Sequence, residues 1–162
     1  MGLDYYINLR AKNKKDNIEH ILDLCYWRKH WGLRDEMQNL IRSDENREYK
    51  IYDDFPDDCV TSCTTDILKP LIELLLDLEK DSENQVWHHC IFSSISARVN
   101  TLSQINELIL VDYFFDSFKE DSCVDIEKLS ESLHDYPFLK DFLNNKRDFN
   151  DYDFSIEFIN SY

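Results

Sequence analysis

Leu3-Asp4-Tyr5-Tyr6-Ile7-Asn8-Leu9-Arg10 sets Leu3, Tyr5, Ile7 and Leu9 at every second position. A strand turns successive side chains to opposite faces, so this stretch predicts a β-strand with one buried face. Far along the chain, Asp153-Phe154-Ser155-Ile156-Glu157-Phe158 alternates as cleanly and predicts a second strand. Glu48-Tyr49-Lys50-Ile51-Tyr52 reads as a third, shorter one. Between these segments the apolar residues fall at helical spacing. Two or three short strands among several helices place the chain in the α+β class, as a helix-dominated single domain over residues 1–162 with a small sheet.

Lys12, Lys14 and Lys15 mark a loop after the first strand. Asp16 or Asn17 can then cap a helix carrying Ile18, Ile21, Leu22 and Cys25 on one side, ended or kinked at Gly32. Leu33, Met37, Leu40 and Ile41 predict the next helix. Asp53-Asp54-Phe55-Pro56-Asp57-Asp58 predicts a loop, because proline and clustered Asp favour turns. Thr65 or Asp66 caps a helix over about 67–80, with Pro70 in its first turn. That helix is apolar nearly all round, so it is expected at the centre, with Leu71, Leu74, Leu75 and Leu78 buried. A long helical pattern runs from Leu102 to Phe118. Ser122 or Asp125 starts a shorter helix with Ile126, Leu129 and Leu133, and Pro137 starts another.

The chain has 162 residues and a formal net charge of −15, with 43 % apolar and 14 % aromatic residues. So many aromatics are foreign to disordered chains. The charge is uneven. Residues 1–50 balance to +1 and residues 51–162 to −16. Such a field repels nucleic acid and anionic membranes and speeds encounter with basic partners. No long apolar run or export signal is present, so a cytoplasmic chain is expected.

Several chemistries have no sequence basis here. With Gly2 and Gly32 the only glycines, no phosphate-cradling loop, dinucleotide fingerprint or nucleophile elbow can form, since each needs glycine for close approach or positive φ. The five cysteines have no framework spacing and read as free thiols. Cys59 and Cys63, with His88, His89 and Cys90, form the best metal hint. The Cys-x₃-Cys spacing is loose for zinc, and adjacent His-His-Cys residues rarely converge on one ion. No cofactor or metal is expected.

Met1-Gly2-Leu3-Asp4 with the aromatic pair after it, together with Tyr26-Trp27-Arg28-Lys29 before His30-Trp31, resembles an uncharacterised family of small phage and prophage proteins that begin MGLD and carry a YWRK motif in their first helical region. Asp57-Asp58-Cys59 and the helix from Thr65 resemble the family's acidic segment and leucine-rich helix. The likeness covers about the first half of the chain, and Gly32-Leu33-Arg34 departs from its pattern. The resemblance implies a phage setting and no particular activity. On a helix, Trp27 and Trp31 share a face and can pack together, with Arg28 over a ring or paired with Asp35.

The reading these features favour is a non-catalytic acidic protein that occludes a basic site on a partner protein. One setting is an immunity protein neutralising a nuclease-type toxin. An alternative is a phage-encoded anti-defence inhibitor that mimics nucleic acid before a host nucleic-acid enzyme. A small enzyme with a carboxylate or Cys/His site is a second alternative. No direct nucleic-acid or membrane partner is expected. The acids are densest at Asp53, Asp54, Asp57 and Asp58 in the predicted loop and at Asp112, Asp116, Glu120 and Asp121 toward the end of the long helix, so these are the expected partner-binding residues.

Overall fold

The alternation at residues 3–10 becomes strand β1, Asp4–Asn13, which turns Tyr5, Ile7, Leu9 and Ala11 into the core. The computed structural model describes residues 4–28, 31–43, 48–52, 55–80, 95–144 and 147–161. The tail becomes β5, Tyr152–Ser161, antiparallel to β1, with Ile7 opposite Phe158 and Leu9 opposite Ile156. Buried apolar side chains from the two strands therefore meet on one face of the sheet.

Residues 18–25 correct the sequence expectation: β2, Glu19–Arg28, is a strand paired antiparallel to β1. The helical appearance comes from a bulge. Asn8 pairs with Asp23 and Ile7 with Cys25, so Leu24 is an extra residue. The bulge shifts the inward phase from His20 and Leu22 to Cys25 and Trp27, which imitates a 3.6-residue period. Asp16 still caps locally: its Oδ1 accepts from the Ile18 N–H at 2.9 Å, in the β1–β2 turn. Asn17 takes φ 60° there, in the left-handed region that asparagine tolerates. Lys12 belongs to β1, and only Lys14 and Lys15 lie in the turn. Gly32 ends no helix; it lies in the first turn of α1, Trp31–Arg42. Trp27 and Trp31 accordingly sit on a strand and at a helix start, and share no helix face.

The segment expected as a loop at 53–58 is corrected in the same way. Asp53 and Asp54 lie outside the described residues, but Phe55–Cys63 forms β4, paired with β3, Glu48–Tyr52. Ile51 pairs with Cys59 and Tyr52 with Phe55, which leaves Pro56, Asp57 and Asp58 unmatched on β3. β5 joins β4 only over Cys59–Cys63. Proline has no N–H for a ladder, so it sits at this irregular end. Among the described residues the sheet has five strands in the order β2-β1-β5-β4-β3, not two or three, and helices exceed strands only modestly.

The helices cover the inner face. α1 buries Leu33, Met37 and Ile41. A 3-10 turn, Thr65–Ile67, leads into α2, Leu68–Lys80, where Leu71 and Leu75 are fully buried and Leu74 partly so; the side chain of Leu78 lies outside the described residues. α3, Ile95–Asp116, buries Ile105, Leu108, Val111 and Phe114 and packs on both α2 and β2. α4, Ile126–Ser132, starts where the Asp125 side chain accepts from the Lys128 N–H at 3.2 Å. α5, Pro137–Leu143, has proline at its first position. Phe114 meets Phe115, Phe118 and Phe142 edge-to-face at centroid distances of 5.1, 5.3 and 5.9 Å, and Phe118 stacks on Phe149 at 4.3 Å. These pairs tie α3 to α5 and to the turn before β5.

Candidate functional site

Asp112 and Asp116 stand one turn apart on α3, where two like charges oppose helix formation by a few tenths of a kcal/mol. Lys69 on α2 supplies the counter-charge. Its Nζ lies 2.8 Å from Asp112 Oδ2 and 2.9 Å from Asp116 Oδ2, while Lys119 Nζ lies 2.9 Å from Asp116 Oδ1. Asp112 is buried at 9 % exposure and is not on a solvated helix face. The two acids hold the Lys69 ammonium above its ordinary pKa, Asp112 foremost. Partial burial works against ionisation of Asp116, but Lys119 and Lys69 outweigh it and hold the carboxyl below its ordinary value. This cluster clamps α2 to α3 by satisfying its charges internally.

Glu120 and Asp121, in contrast, are exposed. They begin a run that composition by segment did not single out: Glu120, Asp121, Asp125, Glu127, Glu131 and Asp135 are all exposed, with Lys128 the one Lys or Arg among residues 120–135. The sequence signal was present in the acid density of that stretch. What hid it was the pull of the i,i+4 pair just before it. Asp57 and Asp58 lie on β4 and their side chains are outside the described residues, as are Asp53 and Asp54 altogether. The structure therefore places Asp116, Glu120 and Asp121 around one feature and leaves the four earlier acids unassigned.

That feature is an open groove of about 900 Å³ between α3 and α4. Ile109, Leu110 and Tyr113 of α3 form one wall, Lys128, Leu129 and Ser132 of α4 the other, and the 119–125 turn closes one end. Tyr113 is 51 % exposed, and Ile126 and Phe118 nearby are exposed as well. The charged lining is mixed, with Asp116, Glu120, Asp121 and Asp125 beside Lys69, Lys119 and Lys128, and Asp116 already pairs with Lys69 and Lys119. Apolar and aromatic side chains with Glu120, Asp121 and Asp125 at the border make a surface able to hold a partner through contact area while charge sets its orientation.

The motif Tyr26-Trp27-Arg28 divides between the two faces of β2. Trp27 is buried and its indole Nε1–H donates to Thr101 Oγ1 at 3.3 Å, fixing α3 on the sheet. Tyr26 points to the other face, packs on Tyr6 at 5.0 Å and donates its hydroxyl to Asp4 Oδ1 at 3.1 Å. Burial, then the Glu107 carboxylate, pushes the Cys25 thiol well above its ordinary pKa, which suits a packing residue and not a nucleophile. Cys63 is buried, and Cys123 is exposed on the groove. The side chain of Cys59 and the whole of His88, His89 and Cys90 lie outside the described residues. Among the described residues no group of His, Cys, Asp and Glu could hold a metal ion, and no helix is long and apolar enough to cross a membrane. No protein-family model matches the chain, and neither the curated proteins nor the solved structures offer a match.

Proposed function

We propose that this chain is an acidic binding protein that occludes a basic site on a partner protein. One observation carries the reading: residues 120–135 expose six carboxylates, and three of them, Glu120, Asp121 and Asp125, line a groove that also exposes Tyr113. The setting that fits best is immunity against a nuclease-type toxin, whose substrate cleft is basic. A phage inhibitor that mimics nucleic acid uses the same complementarity, and the resemblance in the first half of the chain favours that setting. Asp112 and Asp116 serve the fold in either case. The contact acids are Glu120, Asp121, Asp125, Glu127, Glu131 and Asp135, with Asp57 and Asp58 as a second, separate candidate.

The test is association with a basic nuclease or toxin, measured across roughly 0.05–0.5 M salt, a range over which the screening length falls severalfold. Wild type is compared with the Glu120→Lys, Asp121→Lys, Glu127→Lys, Glu131→Lys variant and with Asp54→Lys, Asp57→Lys, Asp58→Lys. The four-fold reversal is expected to slow association by about tenfold or more with its unfolding unchanged. Affinity indifferent to salt and to both variants removes the reading, as does substrate turnover by the chain alone.

A further inference from the structure

Among the described residues β2 is an edge strand, bonded to β1 on one side. The phase of that ladder is set at the turn, where the Asn13 N–H donates to the Ile18 carbonyl at 2.9 Å. Bonded and non-bonded pairs alternate along an antiparallel ladder. His20, opposite Ala11, and Leu22, opposite Leu9, therefore bond to β1, while Glu19, Ile21 and Asp23 aim their N–H and C=O groups away from the sheet. Beyond the bulge the outward residue is Tyr26, whose carbonyl accepts from Gln104 Nε2 at 3.2 Å. So α3 covers the second half of this edge. The first half instead opens onto a groove of about 490 Å³, with Glu19–Asp23 along one side and Asp135, Tyr136, Pro137 and Phe138 along the other.

We infer that this open half of β2 takes up an extended basic segment of the partner as a sixth strand. The inference rests on the reading of the chain as an acidic binding protein, and it assigns how the partner is held. Five residues of strand span about 17 Å at roughly 3.4 Å each. On the outer face the side chains offered are Glu19, Ile21 and Asp23, which is acid, apolar, acid; Ile21 is 52 % exposed. On the inner face they are His20 and Leu22, with Phe138 stacked on His20 at 4.1 Å. Glu19 is already paired with Arg10 at 2.8 Å and Asp135 Oδ1 lies 3.2 Å from His134 Nε2, so Asp23 carries the attraction foremost, with Asp135 beside it. Asp135 also ends the acidic run at 120–135. A second copy of the chain fits worse, since its own Glu19, Asp23 and Asp135 would meet the same three acids. Backbone pairing gives adhesion and the alternating side chains give selectivity for a segment of the form basic, apolar, apolar, apolar or polar, basic.

The probe is the capped peptide acetyl-Gly-Lys-Val-Val-Thr-Lys-Gly-amide, added to the full chain at low salt and followed by amide hydrogen exchange and backbone NMR shifts. Exchange at Glu19, Ile21 and Asp23 is expected to slow by about tenfold or more at saturation, because those amides gain partners. The same peptide N-methylated at its middle residue lacks a donor and is expected to lose that protection on the unaltered protein. Asp23→Lys with Asp135→Lys is expected to weaken binding about tenfold. Binding with shifts confined to residues 113–132 overturns the added strand and leaves the acidic-binding reading intact. No binding of this peptide or of polylysine overturns both. Equal protection by the N-methylated peptide, or a concentration-dependent dimer protecting the same amides without peptide, also overturns the inference.

Discussion

Replacing Lys69 by Ala removes the cation that bridges α2 to α3 and leaves Asp112 facing Asp116. The loss is bracketed by two cases. An exposed ion pair contributes about 0.2–1 kcal/mol, whereas removing one partner of a fully buried pair costs about 3–5 kcal/mol. The Lys69 side chain is 52 % exposed, but those of Asp112 and Asp116 are only 13 % and 21 % exposed. Solvent therefore screens the cation more than the acids, and Lys119 remains on Asp116. An intermediate loss of about 1.5–3 kcal/mol follows. At roughly 2–4 °C per kcal/mol for a chain of this length, Tm falls by about 3–12 °C. Urea unfolding followed by circular dichroism at pH 7 measures it. The companion Lys69→Met, Asp112→Asn removes both charges and is expected to recover at least half of the loss. A pH signature accompanies it. Because the Asp116 pKa is lowered in the folded state, its contribution is present above the ordinary value of 3.8 and is lost as pH falls through the lower folded value. In Lys69→Ala that acid-side loss is smaller. A Lys69→Ala stability within about 0.3 kcal/mol of wild type, the ordinary scatter of independent sites, would refute the clamp.

Leu75→Ala, at a fully buried position on α2, is expected to cost about 2–5 kcal/mol by urea unfolding; a change under 1 kcal/mol means the helix is not central. Of Cys25, Cys63 and Cys123, a disulfide reagent should modify Cys123 first, since it is exposed and the others are buried; peptide mapping that finds Cys25 labelled in native protein contradicts this. Stability should decline above about pH 10. Both Tyr136, raised by burial and by its hydrogen bond to Glu107, and Lys69, raised by Asp112 and Asp116, keep their protons longer folded than unfolded. Their contributions are complete below the ordinary values of 10.0 and 10.5 and fade above them, so a flat unfolding profile from pH 9 to 11 contradicts both shifts.

The parts of the fold legible in the sequence are those where local pattern and tertiary role coincide. β1 and β5 alternate because they are adjacent strands with one face on the helices, and the caps at Asp125 and Pro137 act within their own turns. β2 was illegible because a single extra residue, Leu24, shifts its phase, and Ile18 and Ile21, which complete the apparent helical stripe, are in fact exposed. β4 was hidden by Pro56 and two Asp residues at an irregular end whose pairing is decided by β3. At the site, the acidity of the second part of the chain was plain. Which acids are spent internally was not, because the cation that neutralises Asp112 lies 43 residues away in sequence.

The strand order has a consequence for biosynthesis. β5 occupies the middle of the sheet, between β1 and β4, yet it is the last of the five strands to leave the ribosome. Until it does, the β1–β2 and β3–β4 hairpins have no strand joining them, and the faces of β1 and β4 that it will pair stand open. Each is an unpaired edge of the kind that recruits neighbouring chains. Pairing β5 with β1 closes a loop of well over a hundred residues, which is slow relative to forming a hairpin. Translation of this chain thus passes through an interval in which two half-sheets wait with unpaired edges for the strand that joins them.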